Sequence, residues 1–305
     1  LEWERFLLLD VIFMNANRKA VGHLCAIFCI VVWGTTFIVS RMLLDYYTPI
    51  QTMFMRFIGA YAVLWCMCPK WYFHWKDEIG FLLMSLFSNT LYFLAENTAL
   101  TLTQSSNVSI LVSTAPVITA LLLILLPNGE RVTRNIVWGI LVAFLGVILV
   151  VFNGSVILNL NPAGDLLAIG AAFSWAIYGI LLKGYSGRFS SYLLARKLMF
   201  YGILTSLPLL LTEHAPFVLS ALLTPKLLAG ILFLTVVGSA LCYVAWNSAV
   251  EVLGVLHTNI YIYAIPFITM VTAAVCLHEA ITWMGIVGAI LIVCGMVISS
   301  LRQRE

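Results

Sequence analysis

From residue 21 onward the chain is almost wholly made of long apolar runs, separated by a few polar or helix-breaking residues. The runs fall at 21–43, 50–69, 78–102, 105–126, 134–152, 164–183, 191–211, 227–249, 255–277 and 282–301. Roughly 20 apolar residues are needed for a helix to cross the bilayer core. Barrel strands instead alternate apolar and polar positions over about 10 residues. These runs are long and continuous, so the pattern predicts an all-α polytopic membrane protein of ten transmembrane helices. The breaks carry turn chemistry: Thr48-Pro49, Pro69-Lys70, Pro127-Asn128-Gly129, Asn161-Pro162, Thr224-Pro225 and Gly254.

Residues 1–20 stand apart as a leader. Glu2, Glu4, Arg5 and Asp10 interrupt an apolar stretch too short to span, and no small-residue cleavage site follows. The segment reads as amphipathic or ill-ordered, with Met14 a plausible native start.

Composition narrows the class. Apolar residues make up 62% of the 305 and charged residues 10%, against about 45–50% and about 25% in soluble domains. Sixteen Lys and Arg and thirteen Asp and Glu could not cover a soluble globule of this length. Ten spans use the whole chain, leaving no room for a soluble catalytic domain. The phosphate-binding pattern G-x-x-x-x-G-K-[ST] is absent. The seven cysteines, 25, 29, 66, 68, 242, 276 and 294, all sit in apolar runs, which argues against a disulfide framework. Cys66-x-Cys68 reads as small helix residues rather than a metal pair, and no metal, cofactor or nucleic-acid partner is expected.

Basic residues set an orientation. With the N-terminus inside, the inner segments hold Arg5, Arg18, Lys19, Lys70, Lys76, Arg131, Arg134, Lys183, Arg188, Arg302 and Arg304, and the outer loops hold Lys226 alone. By the positive-inside rule both termini are then cytoplasmic, in a cell or inner membrane.

The chain also contains itself twice. Leu94-Ala95-Glu96-Asn97-Thr98-Ala99-Leu100 aligns with Val244-Ala245-Trp246-Asn247-Ser248-Ala249-Val250 at an offset of 150. The same offset pairs Asn107 with His257, Ser109 with Asn259, Ser113 with Tyr263 and Ala115-Pro116 with Ile265-Pro266. Offsets of 149 pair Glu130 with Glu279, Gly139 with Gly288 and Gly146 with Gly295, and Trp33 pairs with Trp175 at 142. A five-span repeat (21–152) followed by a second (164–301) must enter the membrane upside down, because five is odd. Inverted repeats with a midplane site between them are the architecture of many secondary transporters.

These residues resemble the drug/metabolite transporter superfamily in its EamA branch. The resemblance covers about 21–301 and rests on Trp33-Gly34-Thr35-Thr36-Phe37, Arg56-Phe57, Ala95 to Leu100, Ala115-Pro116, Glu130 leading to Gly139 and Gly146, and echoes through Pro266, Glu279 and Gly295. It implies ten helices, a central cavity lined mainly by spans 1, 3, 4, 6, 8 and 9, and movement of small metabolites. One departure is Trp246 where the first repeat has Glu96.

Polar and aromatic stripes mark the faces turned away from lipid. Span 3 carries Ser85, Asn89, Tyr92 and Glu96 at helical spacing; span 4, Ser106, Ser109, Ser113 and Pro116; span 9, Leu256, Asn259, Tyr263 and Pro266. Span 8 adds Ser239, Tyr243 and Trp246, span 1 Trp33, Thr36 and Ser40, and span 6 Trp175 and Tyr178. For Ser and Thr, interhelical hydrogen bonding is the simpler reading, worth only ~0.6 kcal/mol on average. The substrate-binding candidates are Trp33, Asn89, Tyr92, Glu96, Ser113, Trp175, Tyr178, Tyr243, Trp246, Asn259 and Tyr263. Pro116 and Pro266 each remove a backbone donor mid-span and are the hinge candidates. Glu96 is the carboxylate well inside a span. Burial there costs on the order of 3 kcal/mol, so it should face the cavity, be protonated or pair with a cation. Arg56 is the candidate partner, although its position also lets it snorkel to the outer surface. Glu130 and Glu279 suit helix N-termini. The small residues Gly139, Ala143, Gly146, Gly288, Gly295 and Ser299 either pack within the monomer or build a homodimer.

The expected function is transport of a small organic metabolite by alternating access, with protons as a candidate coupling ion and lipid as the surrounding partner. Aromatic walls and one acid suit amines, aromatic or other neutral amino acids, or cationic drugs; a phosphorylated cargo would want Arg or Lys clamps. Two rival classes are an intramembrane enzyme, for which no paired aspartates, His-x-x-x-His or Glu-x-x-His occur, and a channel, which the hinge prolines disfavour.

Overall fold

The computed structural model describes residues 2–103, 105–126, 132–152, 161–277 and 282–300. Glu130 and Glu279, expected at helix N-termini, lie outside the described residues, as do the side chains of Ser106, Asn107 and Cys276. The described chain is helical nearly throughout. The helices are α1 (Glu2–Leu44), α2 (Pro49–Met67), α3 (Trp75–Leu102), α4 (Ser105–Val112 and Ala115–Leu125), α5 (Arg134–Phe152) and α6 (Pro162–Lys183). They continue with α7 (Ser191–Thr212), α8 (Pro225–Leu253), α9 (Val255–Ile260 running through a 3₁₀ turn into Ile265–Leu277) and α10 (Trp283–Ser300). Eight are long and apolar enough to cross a membrane, and α5 and α10 carry shorter apolar stretches, Arg134–Val150 and Trp283–Ser299. Residues 2–20 continue the helix of α1 as one backbone.

Two of the predicted breaks, at Thr48 and Asn161, are built as side-chain caps, and Ser190 caps a further helix; Thr224 makes no such cap and Pro127-Asn128-Gly129 lies outside the described residues. Thr48 and Gln51 form a capping box ahead of Pro49, while Asn161 and Ser190 accept from the backbone N–H groups of Gly164 and Leu193. Gly254, at φ 83°, is the single residue between α8 and α9; its missing Cβ permits that left-handed turn.

The two halves pack as equivalents. Contacts of α3 and α4 with α6 are matched by contacts of α8 and α9 with α1. The equivalent helices α2 and α7 touch each other, as do α5 and α10. At the last pair, a Cβ on Gly139 would stand 2.6 Å from the Gly295 carbonyl, and one on Gly146 would stand 2.5 Å from that of Gly288. Rising position in α5 meets falling position in α10, so the two run antiparallel, each glycine facing the other's counterpart. That is the contact a two-fold between inverted repeats produces. It also answers the question left open by the small-residue stripes: they meet each other inside one chain.

Two features were not legible as periodicity. Residues Leu86–Leu91 in α3 and Phe233–Leu241 in α8 are π-helical. At the repeat offset of 150 these segments overlap, so the wide turn is itself duplicated. Spans 4 and 9 are also broken just before Pro116 and Pro266, which sit in the first turn of the helix that resumes.

Candidate functional site

A partly open cavity lies between the halves, near the middle of its helices, with about 450 Å³ of empty space counting its mouth. Its polar and aromatic wall is Trp33, Arg56, Tyr92, Glu96, Trp175 and Tyr243, and Thr36, Phe37, Phe93, Val112, Ala115, Ile262 and Ile265 complete it. These residues come from α1, α2, α3, α4, α6, α8 and α9, so both repeats contribute.

Three indoles organise one side. Trp33 stands edge-on to Trp175 (centroids 5.2 Å apart, 87°), and Trp246 packs against both at 4.9 and 5.7 Å. Tyr92 and Tyr178 flank Trp175 at 5.3 and 5.1 Å. Such tilted and edge-on pairs are the favoured aromatic geometries. The Trp175 Nε1–H is buried without a hydrogen-bond partner among the described residues. Trp246 backs the two wall indoles without lining the cavity. It holds the repeat position that Glu96 holds in the first half, so an indole fills space where its counterpart leaves a carboxylate facing a void.

The π turns supply the polar frame. Their non-α hydrogen bonding leaves carbonyls for side chains, a common arrangement at functional sites. The Gly238 carbonyl accepts from Trp33 Nε1 at 3.0 Å and from Arg56 Nη2 at 3.1 Å. At the equivalent position the Ser88 carbonyl accepts from the Tyr243 hydroxyl at 2.8 Å. Arg56 also donates Nε–H to Ser239 Oγ at 2.5 Å and lies 4.3 Å over the Phe93 ring. It is 3% exposed, so it does not snorkel to the surface.

Glu96 is buried on the same cavity wall. Arg56 is the cation whose field reaches it, but the two form no ion pair: the ion pairs among the described residues are Arg18–Glu251, His74–Asp77, Arg188–Asp77 and Lys197–Glu78.

The remaining candidates are placed elsewhere. Asn89 donates to the Leu198 carbonyl at 2.7 Å and to Ser85 Oγ, in the α3–α7 contact. The π turn explains the division of its stripe: it inserts the equivalent of an extra residue and rotates Tyr92 and Glu96 away from the face of Ser85 and Asn89. Ser113 donates to the Ser109 carbonyl at the break in α4, a back-bond that ends a helix locally. Tyr178 donates to Asn247 Oδ1 at 2.6 Å, and Asn259 donates to Thr119 Oγ1 at 2.7 Å. The Tyr263 hydroxyl is buried with no partner among the described residues. Pro116 and Pro266 lie next to the lining residues Ala115 and Ile265.

A second buried polar cluster escaped the sequence reading. Glu78 accepts from Lys197 Nζ at 2.6 Å and from the Tyr201 hydroxyl at 2.7 Å, joining the first turn of α3 to α7. Beside it Asp77 accepts from Tyr72 and Arg188. Arg196 donates to the carbonyls of Cys68 and Lys70 and lies 4.6 Å over Trp65. Charges at the ends of apolar runs look like interfacial anchors in sequence; only the packing of α3 on α7 brings opposite signs together.

Duplicated apolar helices folded around a shared, largely apolar cavity with a few buried polar groups are the architecture of membrane transporters. The family model of EamA-like transporters matches residues 20–152 and again 162–301, and the chain belongs to that family. Among its relatives is an uncharacterized transporter of Archaeoglobus fulgidus, 25% identical over 93% of this chain and 98% of that protein. A probable amino-acid metabolite efflux pump of Salmonella typhimurium is 25% identical over 90% of this chain and 93% of its own. An aromatic amino acid exporter of the same species is 28% identical over 62% of this chain and 65% of its own.

Proposed function

We propose that this protein is a secondary transporter that carries a small organic metabolite across the cell membrane by alternating access, with amines, neutral amino acids and cationic compounds as the favoured cargo. The observation that carries the reading is the buried Glu96 facing an indole-walled cavity to which both repeats contribute. Aromatic faces attract cations and stack on planar groups, and a carboxylate in low dielectric binds an ammonium strongly. The relatives named as amino-acid metabolite and aromatic amino acid exporters support the same class of cargo. The helix breaks at Pro116 and Pro266, one in each repeat beside the cavity, are suitable hinges for exposing it to one side at a time.

Reconstitution into liposomes tests this. Preloaded amino acid or amine should drive saturable counterflow of labelled solute, and Trp33→Ala and Trp175→Ala should each lower it while membrane expression stays normal. Single-channel currents in a planar bilayer would replace the carrier with a channel.

A further inference from the structure

The cavity holds one buried basic and one buried acidic side chain that do not bond to each other. Of the five N–H donors of the Arg56 guanidinium, Nε–H and one Nη2–H are used on Ser239 Oγ and the Gly238 carbonyl; Nη1 has no partner among the described residues. The Glu96 carboxylate accepts no hydrogen bond from a described residue and makes no ion pair within 4.0 Å, yet lines the same wall space. A carboxyl group without protein hydrogen bonds in such a site is costly to ionise, and the natural remedy, a direct Arg–carboxylate fork, is not taken. Arg56 is held back from it. Its two bonds and the Phe93 ring beneath it fix the guanidinium on the α8 π turn.

We propose that Arg56 and Glu96 are the two ends of a binding site for a zwitterion, specifically an α-amino acid with a neutral and preferably aromatic side chain. The amino acid's carboxylate pairs with the free edge of Arg56, and its ammonium pairs with Glu96. Its side chain lies against Trp33, Trp175 and Tyr92, which line the cavity. A simple amine leaves Arg56 unpaired in low dielectric, and a simple carboxylate leaves Glu96 unpaired, so each half-ligand is disfavoured by the charge it ignores. The single acid explains why the repeat is asymmetric here: the ammonium needs one carboxylate, and Trp246 closes the equivalent half. This inference rests on the transporter reading and narrows its cargo.

The test uses the full-length purified protein with L-phenylalanine, 2-phenylethylamine and N-acetyl-L-phenylalanine, reading thermal shift for binding and proteoliposome counterflow for transport. Phenylalanine should bind about tenfold or more tightly than either analogue, the effect of about 1.4 kcal/mol. Glu96→Gln should bring the phenylalanine to N-acetyl-phenylalanine ratio toward one, and Arg56→Gln should do the same for phenylalanine against phenylethylamine. Wild-type protein needs no variant to fold for the first comparison. Phenylethylamine binding as tightly as phenylalanine, binding of none of the three, or ratios unchanged in both folded variants overturns the proposal. Counterflow of other solutes without phenylalanine binding removes this inference and leaves the transporter standing. Selective phenylalanine binding without counterflow of any solute supports the site and removes the transporter.

Discussion

Ser88 and Gly238 hold the same place in the two π turns, 150 residues apart, and the carbonyl of each is capped by side chains of the opposite repeat. Tyr243 reaches across to Ser88, and Trp33 and Arg56 reach across to Gly238. The turns that widen α3 and α8 therefore tie the halves together at the cavity wall, and the tie is doubled on one side only.

That imbalance predicts unequal costs. Tyr243→Phe strips the Ser88 carbonyl of its side-chain donor and should lower stability by about 1 kcal/mol. Trp33→Phe leaves Arg56 on the Gly238 carbonyl, so the hydrogen-bond part of its cost should be smaller. Thermal unfolding of both variants in detergent measures the difference, and equal losses would count against capping by Tyr243 as the sole side-chain support.

The α5–α10 contact predicts sharp intolerance of a single methyl. Gly146→Ala puts a Cβ against the Gly288 backbone, where no side chain can move aside. Overpacking of this kind costs roughly 1–3 kcal/mol. Gly170→Ala on α6, with nothing within 4 Å of the new atom, should be neutral or stabilising by up to about 1 kcal/mol. Folded yield by size-exclusion chromatography separates the two.

Breaking the Glu78–Lys197 pair should be severe. Lys197→Met leaves a buried carboxylate with only Tyr201, a loss of roughly 3–5 kcal/mol. Adding Glu78→Gln removes the orphan charge and should restore most of the stability. A double variant as unstable as the single one would assign the loss to packing of the lysine stem.

Orientation is checked by labelling single cysteines in a background lacking the native seven. Positions 72–75 and 186 should react only from the cytoplasm, and 157–160 only from outside. Cytoplasmic labelling at 157–160 would refute the assigned topology.

The sequence by itself determined the helical membrane class, nearly every helix boundary and the repeat. Long apolar runs, Pro and Gly breaks and echoed motifs are local signals that survive without coordinates. It also singled out Trp33, Trp175 and Trp246 as candidate cavity residues, Glu96 as the carboxylate well inside a span and Arg56 as its candidate partner. Tertiary structure decided which of these meet. Periodicity at 3.6 residues per turn put Asn89 on the face of Glu96, but the π turn that contains Asn89 rotated that face away. Asn259 and Ser113 were consumed by the hydrogen-bond needs of neighbouring and broken helices, needs that no single run reveals. The pairing of Glu78 with Lys197, and the separation of Glu96 from Arg56, depend on where two helices far apart in sequence touch. Charges 119 residues apart in the chain met, while Arg56 was held to α8 by bonds to a π-turn carbonyl and a serine hydroxyl and lay over an aromatic ring. Those contacts come from packing, and the packing created both the cavity and the separation of its acid from its base.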